Sequence, residues 1–182
     1  MLKSRDYLVW VDCEMTGFDP QTNVLIEIAA LITDNDLNVV AEGPEIVIHR
    51  RKSVMDAMDN WNRSHHGSSG LTEAVLSSKT SQIAAETEML KFVRKHCYKG
   101  SSPLCGNSIG HDRRFLIRYM PELHDFFHYQ SVDVSTIKQV GKRWFPERCN
   151  PPDKAEGHRA LDDIRESIKE LRYYRKSLFK RK

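Results

Sequence analysis

Two apolar segments near the start of the chain constrain its fold more than any other feature. Tyr7 to Asp12 is a short apolar run, and Val24 to Thr33 is a longer run rich in β-branched residues. The segment Thr16 to Asn23 between them contains glycine, proline, aspartate and asparagine, which are typical of turns. A third run, Val39 to His49, follows, and Gly43-Pro44 within it predicts a bulge. The pattern predicts an antiparallel meander of three strands.

After the meander, helical patterns alternate with short strands. Short helices are predicted between Ser53 and Ser78, and an amphipathic helix from Ser81 to Cys97. The later predicted elements are a short strand at Pro103 to Cys105 that ends at Gly106-Asn107, a helix from Asp112 to Tyr119, a strand from Ser131 to Val134, and helices from Ser135 to Trp144 and Glu156 to Tyr174. We therefore expect an α/β fold in one domain, 1–182, whose mixed five-stranded sheet has three antiparallel strands, then two further strands, and is flanked by helices.

Composition limits the functional classes without selecting one. The chain has 28 Lys and Arg against 25 Asp and Glu, and its formal net charge of +3 is too balanced to indicate nucleic-acid binding by itself. No apolar run is long enough for a membrane span or a signal peptide. Four widely spaced cysteines favour reduced thiols. We expect a cytoplasmic protein with no membrane association, or a mitochondrial one if a transit peptide precedes the printed chain.

A pair of acidic residues indicates a metal-dependent site. Asp12 and Glu14 lie two positions apart at the end of the first predicted strand, so both side chains project from one face. Crowded carboxylates repel each other, and bound divalent cations would keep both of them ionised. Oxygen ligands favour Mg²⁺ or Mn²⁺, which commonly bind substrate phosphates. Such a pair is also common on strand edges without a catalytic role, so it is weak evidence by itself.

Three further residues extend the candidate site. Asp112 begins a predicted helix beside the end of a strand, where a carboxylate either binds metal or caps the helix. His158 precedes Asp163 by five positions near the start of the last helix, so the two lie roughly on one side of it. The adjacent Asp162 fits equally well by spacing, and both aspartates also suit the positive end of the helix dipole. The combination, rather than any single residue, indicates catalysis.

Several long motifs resemble one known family. In chain order they read VWVDCEMTGFDP, AEGPEIVIH, CGNSIGHDRRFLIRYMPEL, VDVSTIK and HRALDDIRESIKELRYYR. They run over nearly the whole chain and are similar to oligoribonuclease, a small DEDDh-type 3′-5′ exonuclease of the RNase H-like fold. The resemblance implies two divalent cations, Mg²⁺ or Mn²⁺, bound by four carboxylates: Asp12, Glu14, Asp112 and Asp163.

The same resemblance implies a general base and a substrate. The family form H-x-A-x-x-D makes His158 the base and selects Asp163 over Asp162. An imidazole suits this role because its unperturbed pKa of ~6.5 is close to neutral pH. Family members act as homodimers on very short RNAs, above all dinucleotides. We therefore expect 3′-to-5′ degradation of such RNAs to nucleoside 5′-monophosphates by a two-metal mechanism.

The resemblance also implies a set of substrate-binding residues. The set is Phe18, Trp61, His66, Ser108, Tyr129, Gln130, Ser135 and Thr136. In the family, the aromatic and apolar members pack on bases, with Tyr129 supplied by the partner subunit, and the polar members surround the 5′ phosphate. Judged from the residues alone, Trp61 fits core packing equally well, and Ser135 and Thr136 fit helix N-caps.

Two positions depart from the family pattern. Phe18 stands where leucine is usual, a change that keeps apolar character and that we expect to be tolerated. Gln130 stands where arginine is usual, so a neutral amide replaces a charged, forked phosphate donor. This second change predicts a weaker preference for dinucleotides.

Two other functions fit parts of the sequence. One is a related DEDDh exonuclease that acts on longer RNA or on DNA, since the metal ligands do not select the polymer. The other is a non-catalytic RNA-binding homologue in which the basic segment Arg172 to Lys182 contacts phosphates. The complete acidic set favours an enzyme over the second alternative.

Overall fold

A mixed sheet of five strands organises the residues that this computed structural model describes, 3–152 and 159–179. The strands are β1 (Leu8–Met15), β2 (Leu25–Thr33), β3 (Val39–Val47), β4 (Leu104–Gly106) and β5 (Ser131–Asp133). Their order is β3-β2-β1-β4-β5. The first three strands pair antiparallel, whereas β4 is parallel to β1 and β5 is parallel to β4. The predicted mixed five-stranded sheet is confirmed.

Helices cover both faces of this sheet. In the described residues they are α1 (Lys52–Asp56), α2 (Asn60–Ser68), α3 (Leu71–Ser77), α4 (Gln82–His96), α5 (Gly110–Tyr119), α6 (Pro121–His124), α7 (Val134–Trp144) and α8 (Ala160–Ser177), with a 3-10 turn at Pro146–Arg148. The sequence predicted the short helical pieces before α4, but it did not predict α6. That helix is a single turn with Pro121 at its first position, where proline is well tolerated.

The last helix begins later than the sequence predicted. The expected start was Glu156, but α8 begins at Ala160. Arg159, which precedes it, has an extended backbone with φ −124° and ψ 138°. The positions 156–158 lie outside the described residues.

The strand β2 is buried along its full length because helices pack on both of its faces. Ile28, Ala30 and Ile32 contact the layer that contains α4 and α5. Ala29 and Leu31 point to the opposite face, where α8 packs. This arrangement explains the continuous apolar run in the sequence, and each large apolar side chain buried there stabilises the fold by ~1.5–3 kcal/mol.

The predicted irregularity in β3 is a bulge. Ala29 pairs with Glu45 and Leu31 pairs with Glu42, so the two residues Gly43 and Pro44 lie opposite one residue of β2. A Cβ atom on Gly43 would lie 2.6 Å from the Phe92 ring. The same atom would lie 2.7 Å from the backbone oxygen of Ala30, which cannot move aside, so this position requires glycine.

Two further predictions concern membrane spans and the cysteines, of which Cys13 lies on β1. Within the described ranges, no helix is both long and apolar enough to cross a membrane. All four cysteines, at positions 13, 97, 105 and 149, are buried free thiols. Burial raises the pKa of the Cys97 thiol, which disfavours the reactive thiolate there.

Candidate active site

Three elements bring the predicted acidic residues to one edge of the sheet. Asp12 and Glu14 lie on β1, whereas Asp163 lies in the first turn of α8. Each of these three places a carboxylate oxygen within 4.8 Å of the other two. Asp112 joins them through the backbone, because its Oδ1 accepts a 2.9 Å hydrogen bond from the N–H of Cys13. All four carboxylates line one cleft of about 270 Å³.

The structure separates the two adjacent aspartates that spacing left equivalent. Asp163 faces the cleft with Asp12 and Glu14. Asp162 is exposed and accepts a 3.2 Å hydrogen bond from Arg165, one turn along the helix. The predicted choice of Asp163 therefore agrees with the geometry.

Asp112 does not cap its helix. The helix α5 begins at Gly110, two residues before the predicted start, and its N-cap Ile109 makes no side-chain capping bond. Asp112 lies in the first turn, is buried, and reaches across to the backbone of β1. Its carboxylate is thus held in place beside the other three.

Burial and mutual repulsion raise the pKa values of three of these carboxyl groups. Burial, followed by the charges of Asp112 and Glu14, raises the pKa of Asp12 well above its usual value. Burial and then the charge of Asp163 raise the pKa of Glu14 to about 8. Burial raises the pKa of Asp112 to about 7, although hydrogen bonds that include the one from Cys13 oppose the shift. Divalent cations would relieve this repulsion, and an all-oxygen ligand set fits hard ions.

Two aromatic side chains form exposed walls of the cleft. Phe18 and Trp61 line it and are 66% and 61% exposed. The Trp61 ring stacks on His65, with centroids 4.7 Å apart, and Phe18 meets His111 edge-on at 5.7 Å. Core packing, the alternative considered for Trp61, is therefore wrong. Both rings present a face that a flat ligand can contact.

Asn107 and Ser108 line the cleft as a polar wall, and hydrogen bonds connect them to Asp133 and Ser135 just outside it. The N–H of Ser108 donates to Asp133 Oδ1 at 2.9 Å and to Ser135 Oγ at 3.0 Å. Ser135 Oγ also donates to Asn107 Oδ1 at 3.1 Å. The N-cap of α7 is Asp133, so the capping alternative for Ser135 and Thr136 is wrong. Thr136 is exposed in the first turn of that helix.

The remaining predicted residues lie beside the cleft or away from it. His66 is buried next to Glu14, with its Nδ1 atom 3.9 Å from Glu14 Oε2. Tyr129 is 79% exposed and contacts the ring of His128. Gln130 is exposed, and its backbone oxygen accepts a hydrogen bond from Arg113. Neither Tyr129 nor Gln130 is among the residues that line the cleft. The predicted general base, at position 158, lies outside the described residues.

One buried ion pair near the site escaped prediction. Glu27 has no solvent exposure and accepts hydrogen bonds from Arg159 at 3.0 and 2.6 Å. Its other oxygen accepts from the N–H of Ala160 at 3.2 Å. Glu27 therefore anchors the start of α8, and so the turn that carries Asp163. A single acid within the apolar run of β2 was the signal for it, because such residues are rarely buried unless they are paired.

Sequence comparison places the chain among exonucleases, whose chemistry suits this acidic cleft. The family model RNase_T, described as exonuclease, matches residues 9–171. An oligoribonuclease from Marinobacter nauticus is 52% identical over 98% of this chain and 99% of its own length. The chain belongs to the oligoribonuclease family. Another oligoribonuclease, from Thiobacillus denitrificans, is 53% identical over 96% of each chain.

Solved structures show how widely the fold of this oligoribonuclease-family chain is shared. A zinc-bound complex of E. coli exonuclease I with single-stranded DNA superposes with a TM-score of 0.72 at 16% identity. The match covers 96% of this chain but 41% of the other. The chain therefore spans about two fifths of that longer protein, and the likeness establishes a common exonuclease fold.

Proposed function

We propose that this chain hydrolyses very short RNAs, above all dinucleotides, from the 3′ end to nucleoside 5′-monophosphates. The observation that carries the proposal is the convergence of Asp12, Glu14 and Asp163 within 4.8 Å, in a cleft walled by exposed Phe18 and Trp61. Membership of the oligoribonuclease family supports the choice of RNA over other phosphodiesters.

Two divalent cations, Mg²⁺ or Mn²⁺, are the proposed cofactors. The residues that would hold them are Asp12, Glu14, Asp112 and Asp163. Such ions, when bound, polarise phosphoryl oxygens and lower the pKa of water. The protein contributes the alignment of these ligands, because the bond from the Cys13 N–H holds Asp112 and the Glu27 anchor holds the start of α8.

His158 is the proposed general base, which takes the proton of the attacking water. It directly precedes Arg159, whose guanidinium is bound to Glu27. Because imidazole has an unperturbed pKa of ~6.5, hydrolysis should fall as pH drops below that value. A rate that stays flat below about pH 6 would contradict this role.

The aromatic wall suits the base of a nucleotide, and the polar wall suits its phosphate. Stacking on Phe18 and Trp61 would grip bases without selecting their identity, since every base has a π-face. The Ser108 hydroxyl, 3.0 Å from that of Ser135, can rotate to donate to a phosphate oxygen. Tyr129 is the proposed contribution of a partner subunit, which makes a homodimer part of the proposal.

A direct test is the hydrolysis of end-labelled RNAs from dinucleotide to decanucleotide, with Mg²⁺, with Mn²⁺ and with a chelator. We expect the dinucleotide to be degraded fastest, with no hydrolysis in chelator or in the Asp12→Ala variant. Hydrolysis that survives both would contradict the metal assignment. No hydrolysis by the wild type with either ion would favour the non-catalytic RNA-binding alternative.

Gln130 gives a specific reason to test the second candidate, an exonuclease for longer RNA or for DNA. Its amide lacks the charge and fork of the arginine usual in the family. We expect Gln130→Arg to tighten binding of a 5′-phosphorylated dinucleotide more than binding of a decanucleotide. Equal affinities before and after the change would show that this position does not set length preference.

A further inference from the structure

A second group of possible metal ligands adjoins the carboxylates. Glu14, His65 and His66 each offer a ligand atom, and these atoms lie within 4.8 Å of one another. We propose that the three residues form a site for a transition metal such as Zn²⁺. It shares Glu14 with the carboxylate cluster but otherwise has its own ligands.

The surroundings of His66 leave the lone pair of one ring nitrogen available to bind a metal. Its Nε2 atom lies 2.9 Å from the carbonyl oxygen of Met15. Since a carbonyl only accepts, Nε2 carries the proton and Nδ1 carries the lone pair. Nδ1 is buried and has no hydrogen-bond partner within the described parts of the chain. A histidine whose other nitrogen donates to a backbone carbonyl is the usual arrangement of a metal ligand.

His65 supplies a second imidazole from the same helix. Its ring is nearly parallel to that of Trp61, with an interplanar angle of 13° and centroids 4.7 Å apart. It meets the His66 ring edge-on at 5.5 Å. These contacts hold the two imidazoles next to each other, with Glu14 within reach of both.

The distances and ligand types fit zinc better than magnesium. Zinc bonds of ~2.0–2.2 Å in a tetrahedral site separate neighbouring ligand atoms by ~3.3 Å. The 3.9 Å between His66 Nδ1 and Glu14 Oε2 closes to that value with a small side-chain movement. Two histidines and a glutamate form a known zinc ligand set, whereas Mg²⁺ prefers oxygen ligands alone.

Occupation of this site would interfere with the carboxylate cluster. A zinc ion there engages Glu14 and lies beside His65, whose ring covers one face of Trp61. Zn²⁺ should therefore inhibit Mg²⁺-supported hydrolysis, a consequence that rests on the proposed function. Binding of zinc itself does not rest on it.

The test is calorimetric titration of Zn²⁺ into the whole protein without RNA, first without Mg²⁺ and then at saturating Mg²⁺, together with nitrogen NMR of labelled histidines. Because Glu14 is shared, we expect Mg²⁺ to weaken the binding of Zn²⁺. The key variant is His65→Phe, which keeps an aromatic ring against Trp61 but removes the ligand. The matched control is His49→Phe at an exposed histidine. We expect the wild type and the control to bind Zn²⁺ equally, with shifted His65 and His66 signals, and His65→Phe to bind at least about tenfold more weakly.

Three results would overturn the proposal. They are no Zn²⁺ binding without Mg²⁺, binding that leaves both histidine signals unshifted, and unchanged affinity in His65→Phe. The experiment contains no RNA, so its failure leaves the proposed hydrolysis intact. Conversely, an absence of RNA hydrolysis would leave a measured zinc site in place.

Discussion

At the scale of single residues, the two adjacent aspartates in the first turn of α8 have different surroundings. Asp163 lies with Asp12 and Glu14, whereas Asp162 is exposed and pairs with Arg165. We expect Asp163→Asn to lower kcat/KM for a dinucleotide by roughly 10²–10³-fold, as when a group that stabilises the transition state is lost. Asp162→Asn is the matched control, and its kcat/KM should remain close to that of the wild type. Equal losses in the two variants would contradict the assigned site.

Glu14 should make the metal-free protein less stable as pH rises. Its pKa is raised from 4.5 to about 8 in the folded state, so the folded state binds more protons than the unfolded state between these values. The free energy of unfolding therefore falls across this range. Urea unfolding in chelator should show this fall, and Glu14→Gln should raise stability at pH 8 by roughly 2–4 kcal/mol.

Mg²⁺ provides the control for this prediction. A cation that binds the ionised carboxylates stabilises the folded state by mass action. Its stabilising effect should therefore be larger at about pH 8 than at about pH 5. An equal effect at both values would mean that protons and cations do not compete for these groups.

The sequence was informative about residues whose arrangement is local. The two-residue period of a strand was enough to place Asp12 and Glu14 on one face. Spacing did not distinguish Asp162 from Asp163, because that choice depends on how α8 is rotated against β1. The contact of Asp112 with Cys13 spans 99 positions. It follows from tertiary packing, which no local pattern records.

At the scale of elements, the ion pair between Glu27 and Arg159 should control the stability of the α8 start. Loss of one partner of a buried pair costs ~3–5 kcal/mol. Arg159 is one-third exposed and its charge is partly screened, so we expect Arg159→Ala to cost about 2 kcal/mol. The measurement is chemical unfolding together with kcat, which should also fall because the turn that carries Asp163 loosens.

Arg165→Ala is the control for this element. Arg165 pairs with exposed Glu42 and Asp162, and such surface pairs contribute at most ~1 kcal/mol. Its loss should therefore leave kcat unchanged. Equal losses of unfolding free energy in Arg165→Ala and Arg159→Ala would contradict the role of Glu27 in holding the start of α8.

The same anchor explains why the sequence placed the start of α8 too early. Gly157 is a local signal against the predicted start at Glu156, because glycine disfavours a helix interior. Between Gly157 and Ala160, however, no typical N-cap residue marks the new start. In the structure, the N–H of Ala160 is bound by the carboxylate of Glu27, 133 positions away. Long strands and helices were predicted well because their periodicity is local, whereas this boundary is set by a distant side chain.

At the scale of the whole molecule, the proposed homodimer would bring Tyr129 of one subunit to the cleft of the other. Tyr129 is 79% exposed and is not among the residues that line its own cleft. An aromatic residue this exposed suits contact with another subunit, where such side chains are enriched. Light scattering should give the mass of a homodimer. A monomer that still degrades dinucleotides at the wild-type rate would contradict a role for the partner.

Mixing two inactive variants separates a Tyr129 that acts across the interface from one that acts within its own chain. In a mixed dimer of Asp163→Asn and Tyr129→Ala subunits, action across the interface leaves one site with both wild-type residues. Random exchange makes about half of the dimers mixed, and each has one of two sites intact, so roughly a quarter of wild-type activity should return. If Tyr129 acts within its own chain, every site lacks one of the two residues and mixing restores nothing.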